Sequence, residues 1–315
     1  MRQLLAARQP RAWQTLGVSI PFRSDLALMR SMLFVPGDRP ERFDKAVASG
    51  ADAVIFDLED AVAPERRAES RRHIASYLAK STHRSVPLWV RVNPVDSLDA
   101  LADVSAVVVG RPDGIVLPKA QSGADVLRVD HWLEILEAQA GLAPGSIRLL
   151  PMITESAAAL LAMSSFARLP ARVSAVTWGA EDLATDLGAL ANRDASGRYE
   201  PPYVWASSLC LTVAAAAGVL AIDTVDTEIR DVAAVESRAR ESRRSGYLGK
   251  LAIHPSQISA IHAAFTPSAD EIAEAQRIVA AFAAASGQGA LRLDGKLYDR
   301  PHLIKAERIL AAAAR

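Results

Sequence analysis

The regular alternation of short apolar runs with longer helical segments is the feature that most constrains this chain. Eight apolar runs, rich in β-branched residues, predict strands that are buried on both faces. A helix after each strand predicts a parallel sheet, and eight such units predict a closed barrel, so the fold class is α/β, a (β/α)8 TIM barrel. The predicted strands are Met32–Val35, Ala53–Asp57, Leu88–Val92, Gly114–Leu117, Arg148–Ile153, Ala175–Trp178, Val219–Asp223 and Lys250–Ile253.

Helical segments are predicted between these strands and beyond the last one. Proline at Pro40 and Pro64 and the cap residue Asp231 mark helix starts. After a further helix over Ser268–Ala285, the pair Asp294-Gly295 predicts a hairpin turn, and a last helix follows Pro301. The other predicted helices are Pro40–Ser49, Pro64–Ala79, Ala124–Ala140, Ser156–Phe166, Val204–Ala217, Asp231–Ser245 and Ser256–Phe265.

These patterns divide the chain into three parts. Residues 1–29 form an N-terminal extension that is expected to be disordered, residues 30–265 form the barrel, and residues 266–315 form a C-terminal helical appendix. The appendix lies outside the eightfold pattern, and we expect it to cover an active site, that of a neighbouring subunit. The extension carries four arginines and no acid before Asp25, which resembles an organellar transit peptide, although a bacterial extension is favoured.

Composition excludes several classes of function. Lys plus Arg number 36 and Asp plus Glu number 36, so the chain has no global positive field for nucleic acid or an anionic membrane. No apolar run of membrane-spanning length occurs. Cys210 is the single cysteine, which excludes an internal disulfide and a cysteine-rich zinc site. A reducing compartment fits, so the cytoplasm is expected, with the mitochondrion as the alternative if the N-terminus is a transit peptide.

Charged or titratable residues follow seven consecutive predicted strands. In a barrel, the carboxyl ends of the strands meet at one rim, where active sites lie. Buried charges cost several kcal/mol unless they are paired or bound to metal, so a whole ring of them favours a functional site. Carboxylate oxygens without cysteine select magnesium or manganese over zinc. The rim residues are Glu59, Asp60, Arg91, Lys119, Glu155, Glu181, Asp182, Asp223 and His254.

Seven segments carry a resemblance to a known family. They are RSMLFVPGDRPERFDKA, DAVIFDLEDAV, RVNP, LPKA, a Thr-Glu-Ser, WGAEDL and AIHPSQI, and the tail GKLYDRPHLIKAERIL fits as well. From about Arg30 to the C-terminus the chain resembles the citrate lyase beta-subunit and malyl-CoA lyase family, within the HpcH/HpaI aldolase superfamily. The resemblance implies a magnesium-dependent carbon–carbon lyase, with Mn²⁺ expected to substitute for Mg²⁺.

The resemblance also implies roles for individual residues. Glu155 and Asp182 would bind the metal, while Glu59, Asp60 and Glu181 would lie behind them or hold metal-bound water. Asp299, in the tail, would act as general acid/base across a subunit boundary, and the family's usual assembly is a trimer or a dimer of trimers. The residues that would contact the substrate or its thioester carrier are Phe34, Arg39, Lys45, Arg91, Glu155, Glu181, Asp182, Ile253 and His254.

Each role has a structural competitor. Glu155 and Asp182 could belong to an ion pair, Arg91 could plug the barrel in a salt bridge with Glu59, and Asp299 could cap the last helix. Lys119 as a Schiff-base lysine would indicate another aldolase class, but the carboxylates favour metal.

The predicted reaction splits a 3-hydroxy-3-carboxyalkyl-CoA thioester into an oxoacid and an acyl-CoA. Malyl-, methylmalyl- and citramalyl-type substrates, giving glyoxylate or pyruvate, stay open, because one methyl group is worth only about 1–3 kcal/mol in a pocket. Four alternatives also stay open. They are malate synthase or thioesterase activity, a citrate lyase beta subunit acting on an acyl carrier protein thioester, a binding protein without catalysis, and a metal-dependent aldolase of sugar-derived acids.

Overall fold

The computed structural model describes residues 29–81, 83–285 and 289–314, and nearly all of the predicted N-terminal extension lies outside this part. Eight parallel strands form one sheet in the order β5-β4-β3-β2-β1-β8-β7-β6. Isolated parallel bridges, Leu149 with Val173 and Met152 with Thr177, join β5 to β6 and close the barrel. The strands are β1 (Ser31–Pro36), β2 (Ala53–Asp57), β3 (Leu88–Arg91), β4 (Gly114–Leu117), β5 (Arg148–Pro151), β6 (Ala175–Thr177), β7 (Leu220–Asp223) and β8 (Gly249–Ala252).

A helix follows every strand, and β6 is followed by two. The eight predicted strands are confirmed, and two of them have the predicted bounds, β2 and β4. Two helices, α3 and α6, are absent from the predicted set. The barrel helices are α1 (Phe43–Val47), α2 (Arg67–Lys80), α3 (Ala100–Val108), α4 (Gly123–Gln139), α5 (Ala157–Leu161), α6 (Ala180–Asp186), α7 (Pro201–Ala217), α8 (Val232–Ser245) and α9 (Ile258–Phe265).

The core has two layers, because each strand buries both faces. Alternate residues point outward to pack against the helices, and the others fill the barrel interior. Inside, the Trp89 ring takes the space that a side chain at Gly114 would need, since a Cβ there would lie 2.2 Å from the ring. The interior is therefore solid below the rim, and chemistry is confined to the carboxyl ends of the strands.

The C-terminal segment has a small core of its own. Helices α10 (Ala269–Ala284) and α11 (Arg300–Ala313) flank a hairpin of β9 (Ala290–Leu293) and β10 (Lys296–Asp299). Asp294 and Gly295 have φ of 50° and 76°, so the predicted turn is confirmed in the left-handed conformation that two-residue hairpins favour. Ala275, Ile278 and Ala306 form the buried contact of this segment.

None of the helices in the described ranges is both long enough and apolar enough to cross a membrane.

Candidate active site

Arg91 lies at the centre of the rim and is held by the end of the neighbouring strand. Parallel pairing of β2 with β3 places Asp57 opposite Arg91, and the guanidinium donates to both Asp57 oxygens, at 2.7 and 2.6 Å. A third nitrogen lies 2.9 Å from Glu59 Oε2, and the Phe34 ring lies 4.7 Å below the guanidinium carbon. Burial opposes the charged form, but Asp57 and Glu59 raise the pKa of Arg91, so a fixed cation faces the barrel mouth.

Lys119 contacts four carboxylates at once. Its backbone has φ of 52°, a left-handed conformation that costs an ordinary residue about 1 kcal/mol. In that conformation its amide donates to Glu155 Oε2 at 2.5 Å. Its ammonium pairs with Glu59 and lies 3.1 Å from both Asp60 Oδ1 and Asp182 Oδ1. Burial lowers the pKa of Lys119 but these carboxylates raise it further, so the group stays charged.

Glu155 is buried, and only one of its two carboxylate oxygens accepts a hydrogen bond. It lies four residues after β5 and is 3 % exposed, and its Oε1 has no hydrogen-bond partner. A Cβ at position 179 would lie 2.8 Å from that oxygen, so only glycine, here Gly179, lets the carboxylate reach this position. Burial, reinforced by the charge of Asp182, raises the pKa of Glu155 well above its ordinary value. An acceptor that is buried, repelled and unpaired is suited to a cation.

Asp182 and Glu181 come from the first turn of α6, directly after β6. Asp182 is partly exposed, and its recorded ion pair is with Lys119. Glu181 is exposed and accepts a hydrogen bond of 2.8 Å from the Asn192 amide. The two neighbours therefore face different surroundings, since Asp182 joins the carboxylate cluster and Glu181 contacts the loop before α7.

Glu59 and Asp60 complete the cluster from the loop after β2. Burial raises the pKa of Glu59 to about 7, although Arg91 and Lys119 oppose the shift. Burial also works to raise the pKa of Asp60, but the hydrogen bond and charge of Lys119, helped by Arg91, lower it overall. Glu59 Oε2 lacks a partner at hydrogen-bonding angle despite the nearby guanidinium. Two buried oxygens of the cluster therefore lack a hydrogen bond, and of these Glu59 Oε2 still has an ion-pair contact with Arg91.

The donor set fits a hard divalent cation. The cluster offers only carboxylate oxygens, and Glu155 Oε1 is a buried oxygen without a partner. No group of three or more His, Cys, Asp and Glu side chains in the described part of the chain is arranged to hold a metal by itself. Magnesium is usually held by one or two carboxylates and completes its shell with water and substrate oxygens. Glu155 and Asp182 are the residues that could hold it here.

The segment from β1 to α1 contains the next group of predicted residues. Phe34, in β1, lies under Arg91. Arg39, in the following loop, and Lys45, in α1, are exposed. Arg39 lies 3.7 Å from the Asp38 carboxylate.

The end of β8 carries Ile253 and His254. Ile253 is 40 % exposed, which is unusual for its type and leaves an apolar surface at the rim. His254 caps the following turn, where its Nδ1 accepts from the Ser256 amide at 3.2 Å. The Gln257 side chain accepts from the amides of both rim residues. The Gln257 amide also donates to the His254 carbonyl, at 3.1 Å, so His254 has a structural role at the start of this turn.

Asp299 lies in the C-terminal segment, at the start of α11. It is the N-cap of that helix, and its carboxylate lies 2.5 Å from His302 Nδ1. Its side chain is 50 % exposed. Among residues 29–81, 83–285 and 289–314, no hydrogen bond or ion pair joins the Asp299 carboxylate to Arg91 or Glu155.

Asp223 and Asp57 are the two rim carboxylates whose roles differ from the sequence analysis. Asp223 is buried and satisfied, because it accepts from Trp178 Nε1 at 2.8 Å, and from Lys250 and Ser242 at 2.6 Å each. Asp57 was not singled out, yet it fixes Arg91. The signal was present, because a carboxylate and a guanidinium end two adjacent predicted strands.

Comparison with known proteins supports the assignment of the fold and identifies the family. Residues 30–255 match the family model described as HpcH/HpaI aldolase/citrate lyase, and residues 220–315 match the model of C–C bond lyases of the TIM-barrel fold.

The chain is 34 % identical to a (3S)-malyl-CoA thioesterase of Cereibacter sphaeroides, over 90 % of this chain and 94 % of the relative. It is 33 % identical to the citrate lyase subunit beta of Haemophilus influenzae, over 91 % and 98 %. The solved structure of CitE from Mycobacterium tuberculosis with magnesium, acetoacetate and coenzyme A is similar at a TM-score of 0.75 and 33 % identity, covering 92 % of this chain and 99 % of that one. This chain therefore belongs to the HpcH/HpaI aldolase/citrate lyase family.

Proposed function

We propose that this protein is a magnesium-dependent lyase that cleaves a 3-hydroxy-3-carboxyalkyl-CoA thioester into an oxoacid and an acyl-CoA. The observation that carries the proposal is the rim cluster, in which Arg91 and Lys119 face four carboxylates and Glu155 keeps a buried oxygen without a partner. The M. tuberculosis CitE structure with magnesium, acetoacetate and coenzyme A supports the same ligand classes.

Glu155 and Asp182 would hold the magnesium, with Glu59 and Asp60 oriented behind them by Lys119. A bound magnesium ion would supply Lewis acidity to the substrate oxygens that develop charge. Mn²⁺, which accepts the same donor set, should substitute.

Arg91 would bind the carboxylate or oxo oxygen of the oxoacid part. A guanidinium can grip a carboxylate with two parallel bonds and never loses its charge. Here Asp57 accepts two hydrogen bonds from the Arg91 guanidinium and fixes the plane of that group. The third guanidinium nitrogen lies next to Glu59. This orientation would favour the charge that develops on the substrate oxygen during bond breaking.

Cleavage breaks the bond between the hydroxyl-bearing carbon and the carbon next to the thioester. The hydroxyl proton passes to water as the carbonyl forms, and the other fragment leaves as an enolate that takes up one proton, so the overall number of protons is unchanged. We assign that protonation to Asp299, delivered by a neighbouring subunit, because within the described part of its own chain the Asp299 carboxylate pairs with His302 and with no rim residue. A trimer or dimer of trimers would provide this arrangement, and residues 266–315 would form the covering segment.

The thioester carrier would lie along the mouth between the first and last strands. Phe34, Arg39 and Lys45 line one side, and Ile253 with His254 lines the other. Two exposed cations suit the phosphates of CoA, and the exposed Ile253 offers an apolar contact. The cytoplasm is the expected compartment, since a CoA-dependent reaction requires an internal CoA pool.

A product assay tests the proposal. Purified protein is given malyl-CoA and citramalyl-CoA with magnesium, oxoacid is trapped with phenylhydrazine, and free CoA is measured with a thiol reagent. We expect glyoxylate or pyruvate without free CoA. Free CoA in equal amount would indicate the thioesterase alternative, for which the Cereibacter relative is the precedent. Oxaloacetate from citryl carrier protein alone would indicate a citrate lyase beta subunit.

A further inference from the structure

Lys119 is the residue of the rim that contacts every carboxylate of the cluster. Its amide binds Glu155, and its ammonium contacts the other three, Glu59, Asp60 and Asp182. The left-handed backbone makes this possible, because it turns the amide toward Glu155 while the side chain extends across the mouth.

The position of this residue is fixed on both sides. The next residue, Ala120, is buried and donates its amide to the Met152 carbonyl at 3.2 Å, which ties the turn to β5. The Lys119 side chain is only 31 % exposed, and its ammonium is held between the carboxylates.

The Lys119 ammonium and a divalent cation would both be attracted to the negative charge of the same carboxylates. Asp182 is a proposed metal ligand, and its Oδ1 is already 3.1 Å from Lys119 Nζ. We propose that Lys119 is an internal counter-ion that competes with the divalent cation for this cluster and so sets its affinity. The inference rests on the proposed magnesium site. While that site holds no divalent cation, the ammonium keeps the carboxylates together, so the ligands are assembled before the cation arrives.

The sign of the effect follows from the charges. Replacing the lysine by methionine keeps the length of the side chain and removes one positive charge within a few ångströms of the site. The electrostatic potential at the carboxylates then becomes more negative. The cluster therefore attracts a divalent cation more strongly, and the effect is large because the local dielectric constant is low. We expect Lys119→Met to bind Mn²⁺ about tenfold more tightly than the wild type.

The experiment is a titration of Mn²⁺ into full-length, substrate-free protein, with free Mn²⁺ measured by electron paramagnetic resonance. Four proteins are compared: the wild type, Lys119→Met, Lys119→Arg and Lys80→Met. Lys80 is an exposed lysine at the last residue of α2, at the opposite end of the barrel, so its removal controls for net charge. A melting curve with and without Mn²⁺ checks folding and gives a second measure of binding.

The expected result is tighter binding in Lys119→Met alone, together with a larger Mn²⁺-induced rise of its melting temperature. Equal or weaker binding in a folded Lys119→Met protein would overturn the inference while leaving the magnesium site intact. Tightening of the same size in Lys119→Arg or Lys80→Met would also overturn it, because shape or net charge would then be the cause. A wild type that binds no Mn²⁺ would overturn the proposed site and the inference together.

Discussion

Two buried ionic networks lie at opposite ends of the barrel and differ in how fully they are satisfied. At the amino ends of the strands, Arg172 binds both oxygens of Glu137, at 2.9 and 3.1 Å, and also pairs with Asp130. Glu137 accepts two backbone amides as well, from Gly145 and Ile147 at 2.8 Å each. Its oxygens are fully paired, although the side chain is completely buried.

At the rim, the carboxylates outnumber the cations, and Glu155 Oε1 is buried without a hydrogen-bond partner. Burial and mutual repulsion raise the pKa of Glu155 there, whereas Arg172 and the amides outweigh burial and lower the pKa of Glu137. This difference distinguishes an ionic network that stabilises the barrel from one that binds a ligand. A network that closes on itself stabilises the fold, and one that leaves buried acceptors open is prepared for a ligand.

The largest expected effect is on catalysis at the rim. Glu155→Gln removes a proposed metal ligand and should lower oxoacid release roughly a thousandfold. Its melting temperature without magnesium should be equal to or above that of the wild type, because the neutral amide relieves the repulsion by Asp182. Kinetics and thermal unfolding of the same preparation test both parts. Activity within tenfold of the wild type would remove Glu155 from the site.

The matched substitution in the Arg172–Glu137 network, at the amino ends of the strands, should lower stability and leave catalysis unchanged. Glu137→Gln leaves Arg172 buried beside a neutral group and should cost about 3 kcal/mol of stability. Turnover per folded molecule should be unchanged, because the rim is not touched. Urea unfolding, with activity normalised to the folded fraction, measures this. A loss of turnover with unchanged stability would contradict the distinction between the two networks.

Asp299 tests whether the C-terminal segment completes the rim. Asparagine is as good an N-cap as aspartate but does not transfer a proton at neutral pH, so Asp299→Asn should keep α11 intact and lower turnover roughly a hundredfold. Mn²⁺ binding should be retained. If Asp299→Asn is fully active and Asp299→Ala is merely less stable, the residue is a helix cap and the proton donor lies elsewhere.

The smallest effect concerns pH. The pKa of Glu59 rises from 4.5 to about 7 on folding, so the folded protein binds this proton more tightly than the unfolded chain. Its contribution to stability is complete below pH 4.5 and is lost as pH rises from 4.5 through 7, by about 3 kcal/mol. Glu137 has the opposite sign, since its lowered pKa makes its contribution disappear as pH falls.

Thermal unfolding of metal-free protein between pH 5 and 8 measures the rim contribution. Glu59→Gln should flatten the decline between pH 5 and 7 and leave the stability above pH 7 without a further pH-dependent change from this position. An unaltered decline in this variant would show that Glu59 is ionised in the folded protein throughout that range.

The sequence predicts the barrel well because each strand is a short apolar run between polar breaks. It missed α3, whose run of valines has low helix propensity; packing of Val104, Val107 and Val108 against the core overrides that preference. It also missed α6, which is short and begins at the acidic residues that were interpreted only as a site.

The composition of the rim was predictable, but its connections were not. The ends of the strands can be located along the chain, so Arg91, Glu155 and Asp182 could be identified as rim residues. Which oxygens stay unpaired depends on contacts across strands, such as Gly179 against Glu155, and on the left-handed backbone of Lys119. The predicted competitor of Arg91, a salt bridge with Glu59, is present, and substrate binding by Arg91 stays a prediction.

The most direct test of the account is the magnesium dependence of oxoacid release from malyl-CoA and citramalyl-CoA. Protein treated with EDTA and then dialysed should release no oxoacid from either ester, and added Mg²⁺ should restore release in the wild type but not in Glu155→Gln. Release that persists in EDTA, or that Mg²⁺ restores equally in Glu155→Gln, would contradict the claim that the open carboxylates of the rim bind the catalytic metal.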